Sequence, residues 1–355
     1  MYLLYALSLV ALSLGPSSNG EPAHEPQLAV RGSTVALAYG AGQAIYFQRS
    51  DDRGKTFGAP VQVGKGTVVP LTRHRGPRIA FAGQTIVITA VTGKTLAEGP
   101  HAHGLPTDGD LVAWRSEDGG RTWSRGTIVN DVPRAPTEGL HSLTADSKGR
   151  VFAVWLDKRT GKTQLYGALS TDAGKTWSKN TLIYASPDGT ICECCHPSAA
   201  FYEHGAVVVM YRNWLGGSRD MYLARSADSL HFSAPQKLGN GTWKLNACPM
   251  DGGGVAVSSA GVVTAWRREH SVYVDRPGQP EKAVGEGTDV AIAANSRGAY
   301  AMWTTPDSIE VLTPGATQAR ALGSKGAFPA VAAFADGGAV AAWESNGRIV
   351  VEPIR

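Results

Sequence analysis

The stretch Ser170-Thr171-Asp172-Ala173-Gly174-Lys175-Thr176-Trp177 occurs three times in closely similar form. The other two copies span residues 50–57 and 116–123, and a degenerate copy spans residues 226–232. Each copy follows an alternating apolar run and is therefore predicted to lie in a β-hairpin. In such a turn the Ser and Asp side chains bond to nearby backbone amides, glycine takes the positive-φ position, and the aromatic residue packs against the hairpin's own sheet.

The pattern resembles the Asp-box, S/T-x-D-x-G-x-T-W/F, of the sialidase-like or BNR-repeat β-propellers. The resemblance implies a propeller whose boxes lie on the outer part of the blades, away from the ligand. It indicates the architecture rather than the activity, because the box also occurs in propellers that have no sialidase activity.

Composition agrees with an all-β protein. The 43 glycines, the 9 tryptophans and the runs of Val, Ala and Tyr suit many short strands joined by tight turns. A repeat of about 40 to 55 residues favours one closed array over two domains. The sequence predicts a single propeller of six or seven four-stranded blades. We count seven units, whereas well-known sialidases have six, and we expect one terminus to complete the sheet of the other.

The N-terminal segment has the outline of a secretory signal peptide. Residues 1–20 hold an apolar run too short to span a bilayer, followed by a proline and small polar residues. No Lys or Arg precedes the run, so a buried or anchoring segment is the alternative. We expect residues 21–27 to form a linker and residues 28–355 the propeller, in a secreted or periplasmic protein without a membrane span.

The charge balance argues against nucleic acid as a partner. The formal net charge is +4, from 34 basic and 30 acidic residues, and no Lys/Arg run is present. The sequence gives no indication of the oligomeric state.

Polar residues collect in two kinds of loop. In a propeller, the loop leading into each inner strand (the lead-in loop) and the loop joining the second and third strands open on one face around the axis. We expect their polar side chains to converge at one mouth, although such loops are also polar simply because they are solvated. The lead-in positions are Arg75, Arg78, His141, Asp251 and Asp289, and the second-to-third loops carry Asp157, Arg159, Arg212, Arg219, Asp220, Arg267, Glu269 and His270.

The resemblance implies an arginine clamp. Sialidases hold a substrate carboxylate with three arginines, because the guanidinium fork matches a planar anion. Arg78-Ile79 is similar to the start of the family's R-I-P motif, with Ala80 in place of Pro, and Arg212 and Arg267 are the further clamp candidates. We regard the other polar residues of the mouth as additional ligand-binding candidates; they are Arg75, His141, Arg159, Arg219 and Asp251.

The resemblance also implies a Tyr nucleophile activated by a Glu, with an Asp as acid/base. Asp157 or Asp220 would be the acid, and Glu269 is a further catalytic candidate. No Tyr near the mouth fits the nucleophile, because Tyr273 and Tyr300 are predicted strand residues.

The four cysteines occupy two neighbouring lead-in loops, with Cys192, Cys194 and Cys195 on one blade and Cys248 on the next. In an exported protein an even number of cysteines first suggests two disulfides, with three possible pairings. A bond between the adjacent Cys194 and Cys195 would be strained.

The competing hypothesis is a metal site. Thiolates with His196 and Met250 nearby form a soft ligand set that selects copper or another thiophilic ion, and His141 could add an imidazole. Cys192-x-x-Cys195-His196 also matches the attachment pattern of c-type haem. A haem is not expected here, because Pro197 leads directly into an inner strand.

Two classes of function follow. The first is a glycan-directed protein, either an exo-acting glycoside hydrolase or a lectin-like module, whose arginines grip an acidic sugar or another small acidic ligand. The second is a metal or redox protein centred on the cysteines. A purely structural interaction propeller is the remaining alternative and predicts neither glycan nor metal binding.

Overall fold

The computed structural model describes residues 11–14, 20–99 and 104–354. In this part of the chain, seven four-stranded antiparallel sheets form the blades of a closed propeller, which confirms the predicted all-β, seven-bladed architecture. The one helical segment among the described residues is a 3₁₀ turn at Glu203–Gly205. No helix of the described residues is long and apolar enough to cross a membrane.

The strands are numbered in chain order, and each blade is given from the axis outward. Strand β1 is Leu12–Leu14 and belongs to the last blade. Blade 1 contains β2 (Ala23–Arg31), β3 (Thr34–Ala41), β4 (Ala44–Ser50) and β5 (Val61–Lys65). Blade 2 contains β6 (Arg78–Ala82), β7 (Thr85–Thr92), β8 (Asp110–Ser116) and β9 (Thr127–Ile128). Blade 3 contains β10 (His141–Ala145), β11 (Val151–Asp157), β12 (Gln164–Ser170) and β13 (Thr181–Tyr184).

The second half of the ring follows the same plan. Blade 4 contains β14 (Ser198–Tyr202), β15 (Ala206–Arg212), β16 (Met221–Ser226) and β17 (Gln236–Lys237). Blade 5 contains β18 (Gly254–Ser258), β19 (Gly261–Arg268), β20 (Ser271–Asp275) and β21 (Lys282–Glu286). Blade 6 contains β22 (Thr288–Asn295), β23 (Gly298–Thr304), β24 (Ser308–Leu312) and β25 (Arg320–Ser324). Blade 7 contains β26 (Ala327–Ala333), β27 (Ala339–Ser345), β28 (Arg348–Ile354) and β1.

The ring closes through strand β1. Leu12 and Leu14 pair with Val351 and Ile349 on β28, so the N-terminal part of the chain supplies the outermost strand of the C-terminal blade. The expected completion of one terminus by the other is confirmed, and it covers an edge that would otherwise be open. Residues 1–10 and 15–19 of the predicted signal peptide lie outside the described residues.

The first blade begins earlier than the sequence indicated. Strand β2 starts at Ala23, so residues 23–27, which we assigned to a linker, form part of an inner strand. The segment is polar, with His24, Glu25 and Gln27, because inner strands face the axis and the mouth rather than an apolar core. A polar strand of this kind lacks the alternation by which strands are predicted.

A buried tryptophan packs at each of three successive interfaces between blades. Trp266, Trp303 and Trp343 occupy the second strands of blades 5, 6 and 7 and are buried. A glycine of the preceding blade lies against each indole. A Cβ added to Gly285 would lie 2.6 Å from Trp303 Cζ2, and one added to Gly323 would lie 2.5 Å from Trp343 Cζ2. Only glycine permits this approach.

The Asp-boxes join the third strand to the fourth in blades 1, 2 and 3. In blade 3, Gly174 N donates to Ser170 Oγ (2.9 Å), and Thr176 donates to the Asp172 carboxylate through both N (2.8 Å) and Oγ1 (2.6 Å). Burial acts to raise the pKa of Asp172, but the hydrogen bonds from Thr176 and Ser170 outweigh it and hold the pKa at about 2. The predicted turn chemistry is therefore confirmed.

The aromatic residues of the boxes cover their own sheets, as expected, and also reach the preceding blade. Trp123 and Trp177 pack against apolar clusters that both blades share. The ring of Trp123 in blade 2 lies 5.3 Å from that of Phe47 in blade 1, and Trp177 in blade 3 packs with Val87 of blade 2. Each box thus fastens one blade to the previous one, because the outer face of the hairpin meets the neighbouring sheet.

We predict that Asp172→Ala lowers the free energy of unfolding by about 1 to 2 kcal/mol, because it removes an acceptor that organises one turn and its blade contact. Chemical denaturation at neutral pH measures the change. Asp307→Ala, at an exposed turn of blade 6, is the matched control. Equal stability of the two variants would show that the box carboxylate does not hold the turn.

Candidate functional site

The lead-in loops surround a cavity on the propeller axis. This axial cavity of about 210 Å³ is lined by residues from all seven blades, mostly by the inner strands. Its polar wall is formed by His74, Arg78, His196 and Asp289. Of these, Arg78, His196 and Asp289 were expected near the mouth from the sequence, whereas His74 was not singled out.

His74 is the centre of this polar group. Its backbone has a positive φ of 65°, and its N donates to Glu25 Oε1 at 2.8 Å. The imidazole Nε2 donates to Asp289 Oδ1 at 2.9 Å, and its ring lies 4.4 Å from the ring of His196. The strained backbone of His74 is thus held by contacts with three other blades.

The charges of this group follow from burial and pairing. Burial acts to lower the pKa of His74, but the hydrogen bond and charge of Asp289 outweigh it, so the pKa is raised. Burial acts to raise the pKa of Asp289, and His74 reverses this and lowers it. The two residues therefore form a buried ion pair.

The pKa values of two residues beside the ion pair shift in opposite directions. Burial raises the pKa of Glu25 to about 7, although His74 and Arg78 act to lower it. Burial, with the charges of His74 and Arg78, lowers the pKa of His196 well below its usual value. Neutral His196 donates from Nε2 to Gly253 O at 3.1 Å, which leaves Nδ1 buried and without a partner among the described residues.

Arg78 stiffens its own lead-in loop, and His141 joins blade 3 to blade 2. Arg78 donates to Pro77 O (2.8 Å) and to His74 O (2.5 Å). His141 Nε2 lies 3.1 Å from Thr89 Oγ1, and burial together with Arg78 lowers its pKa to about 3. Both side chains are engaged by the protein itself.

The other predicted arginines also serve mainly as internal braces. Arg212 donates only to backbone carbonyls, those of Asp251 (3.1 Å), Arg219 (2.7 Å) and Arg267 (2.8 Å). Arg75 is buried and donates to Glu138 O at 2.6 Å. Arg78, Arg212 and Arg267 therefore do not converge on one external anion, and the three-arginine clamp expected of them is not present.

Asp157 and Asp220 are likewise structural. Asp157 is fully buried and accepts from Trp155 Nε1 (2.8 Å) and twice from the Arg159 guanidinium (2.8 and 2.9 Å). Asp220 is buried and accepts from Trp243 N at 2.7 Å. Neither carboxylate lines the axial cavity, so neither is placed there as a general acid.

A second, larger depression lies between blades 5 and 6. This groove of about 620 Å³ is formed by the β19–β20, β21–β22 and β23–β24 connections, which open on the mouth face. Gly287 N donates to His270 O at 2.9 Å and joins two of these loops. The polar residues that line the groove are Arg267, Glu269, His270, Glu286, Thr288, Thr304 and Thr305.

Arg267 differs from the other clamp candidates. It is partly exposed in the groove, and its guanidinium lies 5.2 Å from the ring of Trp243. Its Nε is buried without a hydrogen-bond partner among the described residues. Within this part of the chain, Arg267 forms no salt bridge.

The structure brings the cysteines together. The Sγ atoms of Cys192, Cys194 and Cys195 lie within 4.8 Å of one another, and Cys248 contacts Cys194. Met250 packs against this cysteine cluster. His196 instead faces the axial cavity, and Asp251 accepts from Asp289 N at 3.0 Å, so both belong to the mouth.

Family comparison agrees with the boxes and the blades. Residues 105–278 match the BNR repeat-like domain. These residues, from blade 2 to blade 5, are therefore similar to BNR-repeat proteins, as the Asp-boxes predicted. A search of curated proteins found no significant match.

Solved structures of similar fold share little sequence with this chain. The α-L-arabinanase of Penicillium chrysogenum in complex with arabinobiose has a TM-score of 0.58 and 14% identity, with 98% of each chain covered. A PL25 ulvan lyase bound to -[GlcA(1-4)Rha3S]- has a TM-score of 0.59 and 11% identity, covering 97% of this chain and 96% of the lyase. The leech intramolecular trans-sialidase with 2,7-anhydro-Neu5Ac has a TM-score of 0.54 and 11% identity, covering 98% of this chain and 70% of the enzyme.

Sequence reasoning missed Glu25, His74 and Glu286. Glu25 was placed in the linker, and Glu286 was not singled out because it ends an outer strand, just before the lead-in loop that carries Asp289. The position of His74, four residues before Arg78 in a lead-in loop, was the one available signal.

We predict a pH dependence of stability that comes from Glu25. Its pKa is raised from 4.5 to about 7 in the folded protein, so it stabilises the fold below pH 4.5 and this contribution is lost as the pH rises through about 7. A shift of this size corresponds to about 3 kcal/mol. The raised pKa of His74 acts in the same direction.

Glu25→Gln should therefore flatten the decline in the free energy of unfolding between pH 4.5 and pH 7, as measured by denaturant titration. Glu203→Gln, at an exposed site, is the control and should retain the wild-type slope. A Glu25→Gln profile as steep as that of the wild type would mean that Glu25 is ionised throughout this range.

Proposed function

We propose that this propeller binds a glycan with an acidic sugar in the groove between blades 5 and 6, and that Arg267 pairs with the sugar carboxylate. The observation that carries the proposal is that Arg267 is the one clamp candidate whose guanidinium lines an open groove and has no hydrogen-bond or salt-bridge partner in the described chain. A guanidinium suits a carboxylate because it can donate two parallel hydrogen bonds.

The other candidate arginines already have partners within the protein. Arg212 and Arg78 are bound to backbone carbonyls, and Arg159 is paired with Asp157. Recruiting any of them to a ligand would first break buried hydrogen bonds, which is costly. Arg267 requires no such rearrangement.

The shape and composition of the groove also suit a sugar. Its volume of about 620 Å³ lies within the range of about 300–1,000 Å³ typical of small-molecule sites. Carboxylates, an imidazole and threonine hydroxyls line it, and these groups can donate to and accept from sugar hydroxyls. The axial cavity, at about 210 Å³, is smaller than this range.

The fold comparison supports a glycan as the ligand class. The three solved propellers named above hold sugars, and the ulvan lyase and trans-sialidase ligands include glucuronate and an anhydro-neuraminic acid, both of which carry a carboxylate.

A direct binding experiment tests the proposal. Oligosaccharides ending in glucuronate, and the same oligosaccharides with the carboxyl group reduced to an alcohol, are titrated calorimetrically into wild type and Arg267→Gln. We expect the acidic sugar to bind wild type about 10- to 100-fold more tightly than either the reduced sugar or the variant, since a hydrogen bond to a charged group contributes about 1.5–3 kcal/mol.

Arg121→Gln is the matched control. Arg121 is exposed in the Asp-box of blade 2, away from the mouth, and its variant should bind as wild type does. The proposal is wrong if Arg267→Gln binds the acidic sugar as tightly as Arg121→Gln does.

Catalysis would use the two carboxylates of the groove, Glu269 and Glu286. Glycoside hydrolysis needs a pair of carboxyl groups with different roles. We predict that Glu269→Gln and Glu286→Gln each reduce reducing-end release at least 100-fold while leaving binding within about threefold of wild type. Wild type that binds without releasing reducing ends would identify a lectin-like propeller and exclude hydrolysis.

A further inference from the structure

The cysteine cluster lies outside the groove and plays no part in glycan binding. Cys192, Cys194 and Cys195 occupy the lead-in loop between β13 and β14 and are buried, whereas Cys248 lies in the next lead-in loop and is exposed. The three buried thiols are shielded from solvent, and the exposed thiol of Cys248 gives a small ion access to them.

The geometry points to a metal site: we infer that the cluster binds one thiophilic d¹⁰ ion, copper(I) or zinc(II), through the thiolates of Cys192, Cys194 and Cys195, with Cys248 as the outermost ligand. Soft thiolates select such ions over magnesium or calcium. The site is independent of the proposed glycan groove.

The spacing of the sulfur atoms suits one ion. Cys192 Sγ lies 3.8 Å from Cys194 Sγ and 3.2 Å from Cys195 Sγ. Two thiolates that bind a tetrahedral ion at about 2.3 Å lie about 3.8 Å apart. Small side-chain rotations therefore suffice to place all three sulfurs around a common centre.

The loop that carries the ligands is held in place by the backbone. Cys192 N donates to Arg212 O at 3.1 Å, and Ile191 N donates to Thr163 O at 3.0 Å. These bonds anchor the start of the loop to blades 3 and 4. A preorganised loop lowers the conformational entropy that binding would otherwise remove.

The electrostatic surroundings of Cys192 favour a thiolate at that position. Buried Arg219 donates from Nη1 to Cys192 Sγ at 3.0 Å, and its guanidinium lies 4.1 Å from the ring of Trp214. Neither Arg219 nor the adjacent Arg212 forms a salt bridge within the described chain. Buried charges need partners, and a metal with three or four thiolates supplies the negative charge that disulfides would not.

Metal titration of the full-length protein, reduced under anaerobic conditions, tests the inference. Cobalt(II) serves as the optical probe for the zinc arm, and copper(I) is measured by competition with a chromogenic chelator. We expect one equivalent of ion, thiolate-to-cobalt charge-transfer absorption, and at least 100-fold weaker binding by Cys195→Ser. Chelation should return wild type to its metal-free thermal stability, which provides a readout without any variant.

Two further variants make the result specific. Arg121→Gln, in the distant Asp-box of blade 2, leaves the whole cluster in place, so its affinity for metal should remain within about threefold of wild type. Cys248→Ser should weaken zinc more than copper(I), because zinc prefers four ligands. Arg267→Gln should bind metal as wild type does, so failure of the glycan proposal and failure of this inference are separate results.

Absence of both the cobalt absorption and retained copper in the reduced wild type would overturn the inference. In that case, protein isolated with no titratable thiols before reduction and four after it would assign the cysteines to two disulfides.

Discussion

Each sheet of this propeller is apolar on both faces, and each face must be covered by a neighbouring sheet. All residues of β3 and all residues of β11 are buried, and the apolar clusters of the described chain are shared between adjacent blades. No blade can bury its faces alone, so the ring must close, and the pairing of β1 with β28 completes the last sheet. The positions of the lead-in loops, and hence of the mouth, depend on this closure.

Closure also determines what the polar residues near the axis do. Where wedge-shaped sheets converge, backbone carbonyls at strand ends need donors, and the guanidinium of Arg212 reaches three of them across blades 4 and 5. Asp157 and Arg159 neutralise each other beside Trp155 in the same way. Arg267 in the groove and Arg219 beside Cys192 form no salt bridge within the described chain. These are the two places for which we propose ligands.

The sequence predicted features that depend on local residues. The Asp-boxes could be recognised because the hydrogen bonds of their Ser and Asp side chains join residues within four positions, as between Asp172 and Thr176. The seven units, and the contact of Cys194 with Cys248, followed from the repeat. The role of Arg212 could not be predicted, because its carbonyl partners Asp251 and Arg267 belong to another blade and meet it only after packing. Glu25 was missed because an inner strand facing the mouth resembles a polar linker in sequence.

The tryptophan and glycine contacts give the ring a direction. Blades 5 and 6 each carry an indole that enters the preceding blade and a glycine that receives the indole of the next, as Trp303 does at Gly285. Each such blade therefore carries the tryptophan of one interface and the glycine of the next. Tandem duplication of such a blade would create a new interface in which the tryptophan and the glycine already match. The number of blades in this architecture can therefore change without new interface residues.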